Sequence, residues 1–148
     1  MKRVFESASE EETMAIGAAL AGLLRPPRML ILTGDLGAGK TTLVKGLVAA
    51  LEAGDEDSVT SPTFTLVHTY DGWQDGQPVQ VVHLDLYRLE SERQLATLGL
   101  VELMADDALV LVEWGEKFPG VVEMADGILR LDRLDGTHRR ITLEMDEA

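Results

Sequence analysis

The 148-residue sequence contains no cysteine and no asparagine. Without cysteine, the chain forms neither a disulfide nor a thiolate metal site, which fits a reducing compartment. Long apolar runs are also missing, since the longest, MAIGAALAGLL over residues 14–24, is too short to span a bilayer. Acidic residues precede this run and RPPR follows it, unlike a signal peptide. We therefore expect a cytoplasmic chain that does not enter a membrane.

Basic residues are scarce as well. Thirteen lysines and arginines stand against 26 acidic residues, so the formal net charge is −13, and no basic block occurs. A surface this acidic repels a phosphate backbone, and we do not expect the chain to bind nucleic acid by itself. A protein partner or a magnesium-bound nucleotide is compatible with the charge. The length and the 45% hydrophobic content predict one globular domain over residues 1–148.

Strands and helices are predicted to alternate in the first part of the chain. A short strand, KRVFES, precedes a helix from about Glu10 to Leu24, which begins at a capping box and ends before two prolines. The run MLILT, at residues 29–33, is apolar throughout and predicts a strand buried on both faces. TTLVKGLVAALEA then has helical spacing and ends before Gly54.

Two hairpins are predicted further along. SVTSPTFTLVHTY (58–70) and PVQVVHLDLYRL (78–89) are typical of strands, and DGWQDGQ between them is predicted to be all turn. SERQLATLGLVELMAD predicts one helix, ALVLVEW (108–114) predicts another buried strand, and GILRLDRL with HRRITLEM predicts the second hairpin. Because hairpins would add antiparallel strands to a parallel core, we expect an α/β fold with a mixed central sheet.

The stretch ILTGDLGAGKTTLV, at residues 31–44, carries the strongest motif. Gly34, Gly39, Lys40 and Thr41 satisfy G-x-x-x-x-G-K-[ST], the phosphate-binding P-loop. The motif lies between a predicted buried strand and a predicted helix, so backbone N–H groups and the helix N-terminus can face an anion. We expect Lys40 to bridge the β- and γ-phosphates and the Thr41 hydroxyl to bind Mg²⁺. The expected fold is therefore a P-loop NTPase-like, three-layer α/β domain.

Acidic residues end two of the predicted strands. VVHLD ends in Asp85 and LVLVE ends in Glu113, and a P-loop enzyme needs such carboxylates for its metal and its attacking water. The spacing does not tell which carboxylate has which role, and the alternative is that both simply mark solvated strand ends. His83 would share a strand face with Asp85, although a structural histidine is the more common case.

Other features narrow the function. SPTFT, at residues 61–65, is either a switch segment in which Thr63 senses the γ-phosphate or the start of an ordinary strand. Without asparagine the guanine-reading motif N-K-x-D is impossible, which favours ATP. Only Lys45 adds a basic side chain between Lys40 and Arg88, so we expect slow hydrolysis aided by a partner. A small-molecule phosphotransferase and a nucleotide-binding regulatory module without useful turnover are the alternatives.

The motifs GDLGAGKTT, SPTFTLV, HLDLYRL and LVEW, in this order, closely resemble the bacterial TsaE (YjeE) family. These proteins are P-loop ATPases required for threonylcarbamoyladenosine modification of tRNA. The resemblance covers roughly residues 4–114. It implies Mg²⁺-dependent ATP binding and ATP hydrolysis coupled to a complex of the TsaB and TsaD proteins, of which TsaD is the transferase. tRNA would be contacted only through that complex.

The resemblance also implies roles for individual residues. Thr41 and Glu113 would ligate Mg²⁺, and Asp85 would act with Lys40 in hydrolysis. Ser61 and Thr63 would belong to a first switch, and His83 with Asp85 to a second. The further contacts to ATP or ADP would come from Leu36, Gly37, Ala38, Gly39, Lys40, Thr41 and Thr42, from Glu10 or Thr13, from a residue after Trp114 such as Glu116, and from His138 or Arg139.

Overall fold

The computed structural model describes residues 1–35, 37–53 and 67–146. Within these residues, seven strands form one sheet: β1 (Lys2–Ser7), β2 (Arg28–Thr33), β3 (Val67–Gln74), β4 (Gln77–Asp85), β5 (Ala108–Glu113), β6 (Gly127–Arg133) and β7 (Arg139–Met145). Their spatial order in the sheet is β1-β7-β6-β2-β5-β4-β3. The helices are α1 (Glu10–Leu23), α2 (Lys40–Ala50), α3 (Glu92–Ala96), α4 (Leu100–Leu103) and α5 (Pro119–Met124), and a short 3-10 turn spans Gly115–Lys117.

The sheet is mixed, as predicted from the hairpins. Its centre is parallel, because β2 pairs in parallel with both β5 and β6, and β5 pairs in parallel with β4. The β3–β4 and β6–β7 hairpins are antiparallel, and β1 adds an antiparallel edge strand against β7. The carboxyl ends of the central strands therefore meet at one edge of the sheet, where side chains from several strands can converge.

Apolar side chains pack on both faces of the central strands. On one face, residues such as Leu30 and Leu111 pack with α1 and α2. On the other face, Met29 and Val110 pack with α3, α4 and α5. These two buried clusters confirm the three-layer arrangement, and they explain why β2 and β5 are apolar at consecutive positions. Within the described residues, no helix is both long and apolar enough to cross a bilayer.

Two glycines let α1 and α2 cross closely. A Cβ atom on Gly46 would lie 2.0 Å from the carbonyl oxygen of Met14, and one on Gly17 would lie 2.2 Å from that of Leu43. Larger residues would therefore force the two helices apart. The crossing brings the first turn of α1 next to the loop before α2, where Thr13 Cγ2 lies 3.6 Å from the position of a Cβ on Gly39.

The prediction that DGWQDGQ is entirely turn is wrong. Strand β3 continues to Gln74, and β4 begins at Gln77, so Asp75 and Gly76 alone connect the strands. Both residues have positive φ, 52° and 79°, as a tight two-residue hairpin turn requires. The next strand, β4, was predicted to end at Leu89, but it ends at Asp85.

The single helix predicted over SERQLATLGLVELMAD is also wrong. The structure has two short helices there, α3 and α4, separated at Gly99, whose φ of 65° lies in the left-handed region. An α-helix cannot continue through that conformation. Helix α5, which begins at Pro119, was not predicted. A proline in the first helical position needs no N–H partner.

Candidate functional site

The glycine-rich loop turns sharply between β2 and α2. Gly37 and Gly39 have φ values of 81° and 101°, a region that residues with a Cβ rarely adopt, and Gly39 caps the N-terminus of α2. Lys40 lies in the first turn of α2, and its Nζ donates to the carbonyl oxygen of Gly34 at 2.6 Å. The N-terminal end of α2 thus lies next to the loop, where unpaired N–H groups and the helix dipole favour an anion.

A cavity of about 700 Å³ opens over this loop. Its volume lies in the range of small-molecule and cofactor sites. The walls come from the start of α1, the loop and first turn of α2, the ends of β4 and β5, and the turn between β6 and β7. The lining residues are Ser9, Glu10, Thr13, Gly34, Asp35, Gly37, Gly39, Lys40, Thr41, Thr42, Asp85, Glu113, Trp114, Gly136, Thr137 and Arg139.

Two carboxylates lie side by side at the inner end of the cavity. Asp85 and Glu113 are direct partners in the parallel register of β4 and β5, so their side chains leave the sheet edge together. They are 3% and 5% exposed, which rules out the alternative of solvated strand ends. An Asp85 Oδ1 atom accepts from the backbone N–H of Tyr87 at 2.8 Å, and this bond fixes the chain where it leaves β4.

Glu113 is held between a lysine and a histidine. Its Oε1 lies 3.3 Å from Lys40 Nζ, and its Oε2 lies 2.7 Å from His83 Nε2. Burial by itself raises the pKa of the Glu113 carboxyl, but the His83 hydrogen bond and the nearby charges of His83 and Lys40 outweigh it, so the pKa lies below its ordinary value. The site therefore keeps the Glu113 carboxylate charged although it is almost inaccessible to solvent.

Hydroxyl groups and a charged turn form the outer end of the cavity. The hydroxyls of Ser7 and Thr13 lie 2.7 Å apart, and Thr13 Oγ1 also donates to the Ser9 carbonyl oxygen at 3.2 Å. In the β6–β7 turn, which also lines the cavity, backbone N–H groups of Thr137 and His138 donate to Asp135, and these bonds hold the pKa of that carboxyl well below its usual range. The β6–β7 turn that carries Gly136 and Thr137 is thus fixed by its own side chains.

The structure brings most of the predicted site residues together. Glu10, Thr13, Gly37, Gly39, Lys40, Thr41, Thr42, Asp85, Glu113 and Arg139 line the main cavity. His83 lies behind Glu113 without lining it, and Ala38 is buried. Glu116 lines an adjoining cavity of about 380 Å³, which shares Gly34 and Lys40 with the main one. Leu36, Ser61 and Thr63 lie outside the described residues.

Some lining residues were missed by the sequence analysis. Ser9 was interpreted only as a helix cap, which it is, since its Oγ accepts from Glu12 N at 3.1 Å. Gly136 and Thr137 lie between the two strands of the second predicted hairpin, and neither was predicted to line a site. No local sequence pattern placed this turn near Ser9, because the two are brought together by the pairing of β1 with β7. In the described ranges, no group of three or more His, Cys, Asp or Glu side chains is arranged to hold a metal ion.

Comparison with known proteins identifies relatives along most of the chain. The family model described as "Threonylcarbamoyl adenosine biosynthesis protein TsaE" matches residues 7–141. The tRNA threonylcarbamoyladenosine biosynthesis protein TsaE of Mycobacterium tuberculosis is 37% identical over 136 residues, covering 88% of this chain and 79% of that protein. The protein of the same name from Haemophilus influenzae is 39% identical over 107 residues, covering 72% of this chain and 64% of that protein.

A solved structure agrees with these relatives. The crystal structure of Bacillus subtilis YdiB superposes with a TM-score of 0.68 and 28% sequence identity, covering 98% of this chain and 86% of that one. The α/β fold is therefore shared over nearly the whole length. Since the family model extends from the last residue of β1 into β7, and the relatives carry one name, this chain belongs to the TsaE family.

Proposed function

We propose that this chain is a Mg²⁺-dependent ATPase that acts in threonylcarbamoyladenosine modification of tRNA. Membership of the TsaE family and the shared name of its relatives support the pathway. The chemistry is supported by one observation above all, the meeting of Lys40, Asp85 and Glu113 over a glycine loop at the N-terminus of α2. Lys40 would contact the phosphate groups, Glu113 the metal ion and Asp85 the attacking water molecule.

The loop and α2 would hold the nucleotide phosphates. The N-terminus of α2 adds its partial positive charge to the N–H groups of the loop, and Lys40 adds a full charge. In the structure, Lys40 Nζ donates to the carbonyl oxygen of Gly34 and forms an ion pair with Glu113, so the ammonium group already lies next to the loop. The absence of asparagine from the sequence, and hence of a guanine-reading N-K-x-D motif, favours ATP over GTP.

The oxygen donors of the site fit Mg²⁺. This ion binds hard oxygen ligands and commonly takes one or two from the protein, with the rest from phosphates and water. Thr41 and Glu113 would supply a hydroxyl and a charged carboxylate, and both line the cavity. The absence of a larger acidic cluster among the described residues is compatible with such a site. When bound, the ion would neutralise charge on the phosphate oxygens.

Asp85 would orient the attacking water. Its carboxylate is nearly buried and lies next to that of Glu113, so the two groups can divide the work of metal binding and water positioning. The water oxygen would bond to the γ-phosphorus as the bond to the β–γ bridging oxygen breaks, giving ADP and inorganic phosphate. The water protons would leave with phosphate and solvent.

Hydrolysis by this chain would serve a complex of TsaB and TsaD proteins. The net charge of −13 disfavours direct binding of tRNA, so tRNA would be reached through the partners. Reconstituted tRNA modification with the TsaB and TsaD proteins of the same source tests this role. Wild-type chain should raise the threonylcarbamoyladenosine formed per TsaD molecule, and Lys40→Ala should not. Equal stimulation by Lys40→Ala would instead favour a regulatory module without turnover.

A further inference from the structure

Glu113 has two partners in the structure, one for each carboxylate oxygen. Lys40 Nζ lies 3.3 Å from Oε1, and His83 Nε2 lies 2.7 Å from Oε2. Lys40 is also bonded to the Gly34 carbonyl oxygen at 2.6 Å. Each oxygen of the carboxylate therefore has a protein partner in the structure.

These contacts cannot all persist when a nucleotide binds. The proposed function requires Lys40 to reach phosphate oxygens and requires Glu113 to offer an oxygen to a metal ion. Moving Lys40 frees Oε1 but removes one of the two groups that fix the carboxylate. A carboxylate on a flexible side chain then needs another partner to keep its orientation, because a metal ligand gains affinity when it is held in place beforehand.

We infer that His83 is a positioning residue that holds Oε2 of Glu113, so that Oε1 faces the metal ion once Lys40 has turned to the phosphates. The inference rests on the proposed function, and it gives His83 a role different from that of a switch residue. The contact between His83 and Glu113 is then kept when a nucleotide binds, whereas the contact between Lys40 and Glu113 is lost.

The location of His83 suits this role. His83 is fully buried in β4, two residues before Asp85, and it reaches Glu113 diagonally across the β4–β5 pair. Such diagonal neighbours on one sheet face are within reach of long side chains. Lys40, in contrast, lies on the first turn of a helix, and its side chain is 17% exposed. A long side chain that borders the cavity has space to change its position, whereas the imidazole of His83 is enclosed on all sides.

The second nitrogen of His83 adds support. Among the described residues, Nδ1 of His83 is a buried polar atom without a hydrogen-bond partner. Burying an unpaired polar atom costs free energy, so an apolar residue would suit this position better if packing were its sole requirement. The polar contact that the structure gives His83 is the one to Glu113.

Two substitutions separate positioning from packing. The amide nitrogen of glutamine lies about as far along the side chain as Nε2 of histidine, so His83→Gln can still donate to Glu113. The amide nitrogen of asparagine corresponds to Nδ1, so His83→Asn cannot reach it. The dissociation constant of ADP is measured by calorimetry in EDTA and at increasing Mg²⁺ concentrations, together with the melting temperature of each variant. This readout is binding and involves no turnover.

We expect His83→Asn to raise the Mg²⁺ concentration for half-maximal enhancement of ADP binding by about 10- to 100-fold. Its ADP affinity in EDTA should stay within about twofold of wild type, since no phosphate contact is lost. His83→Gln should keep the wild-type Mg²⁺ dependence. A wild-type Mg²⁺ dependence of ADP binding in His83→Asn would overturn the inference. A folded His83→Gln variant that needs tenfold more Mg²⁺ than wild type would also overturn it. The His83→Gln result is therefore decisive even if His83→Asn does not fold. A wild-type chain that binds no ADP would overturn the proposed function itself.

Discussion

Arg139 donates through Nη2 to the carbonyl oxygen of Gly37, a residue 102 positions earlier, at 3.1 Å. Its Nη1 donates to the carbonyl oxygens of Asp135 and His138 at 2.8 and 3.0 Å. One side chain at the start of β7 thus joins the glycine loop to the β6–β7 turn. Because that turn and the loop both line the cavity, Arg139 links two parts of its wall as well as contributing charge to it.

Replacing Arg139 by alanine should therefore weaken nucleotide binding. The variant loses a charged hydrogen bond to the loop and two to the turn, and a loss of about 1–2 kcal/mol, or about 5- to 30-fold in ADP affinity, is expected. Arg140→Ala is the matched control, because Arg140 pairs with Glu6 and does not line the cavity. Calorimetric titration with Mg-ADP measures both. Equal affinities of the two variants would contradict this role of Arg139.

Replacing Lys40 by alanine should reduce ATP hydrolysis by about 100-fold or more, since a preorganised charge at the phosphates is lost. Lys45→Ala is the control. Lys45 also lies in α2, but it does not line the cavity, and its removal should change hydrolysis by less than about twofold. Phosphate release under saturating Mg-ATP provides the comparison. Retained hydrolysis in Lys40→Ala would show that the glycine loop is not the place where phosphate chemistry occurs.

The ionisation of Glu113 should make the free energy of unfolding depend on pH. Because the folded pKa of its carboxyl lies below the ordinary value of 4.5, the charged form stabilises the fold above pH 4.5, and this contribution is lost as the pH falls through the folded pKa. The difference in unfolding free energy between wild type and Glu113→Gln should therefore shrink below pH 4.5. Urea titrations measure this difference. They are run at low protein concentration, because the isoelectric point calculated from the sequence is near 4.5 and a protein with little net charge tends to precipitate. A difference that grows on acidification would contradict the assignment.

The crossing of α1 and α2 should tolerate no methyl group at its centre. Gly46→Ala would place a Cβ 2.0 Å from the Met14 carbonyl oxygen, and a destabilisation of about 1–3 kcal/mol is expected from overpacking. Gly22→Ala, in α1, meets nothing within 4 Å and should stabilise the fold by about 0.5–1 kcal/mol. Urea unfolding of both variants checks the contrast. Similar stabilities would mean that the helices can separate without cost.

The strands and helices that the sequence could predict are those with strong local signals. β2 and β5 are continuous apolar runs, α1 has a capping box, and the glycine motif fixes the loop before α2. The predictions failed where one or two residues with positive φ decided between alternatives. At Gly99 a single left-handed residue divides a helix, and at Asp75 and Gly76 two such residues suffice for a turn that composition made to look longer.

The residues by themselves did not predict the long-range contacts of the site. Arg139 was expected there only because of the family resemblance, and the pairing of β7 brings it to the loop from the far end of the sequence. Likewise, the bond between His83 and Glu113 joins residues that are 30 positions apart, and it depends on the register of two parallel strands. Hydrophobic periodicity indicates which residues are buried, but it does not fix this register.

Under the proposed function, the cavity over the glycine loop hydrolyses ATP in response to partner proteins. Phosphate release from Mg-ATP by the purified chain, alone and with the TsaB and TsaD proteins of the same source, tests it most directly, with Asp85→Ala as the matched variant. We expect slow release by the chain alone, strong stimulation by the pair, and loss of that stimulation in Asp85→Ala. Equal release with and without the pair, at concentrations where all three proteins bind one another, would contradict it.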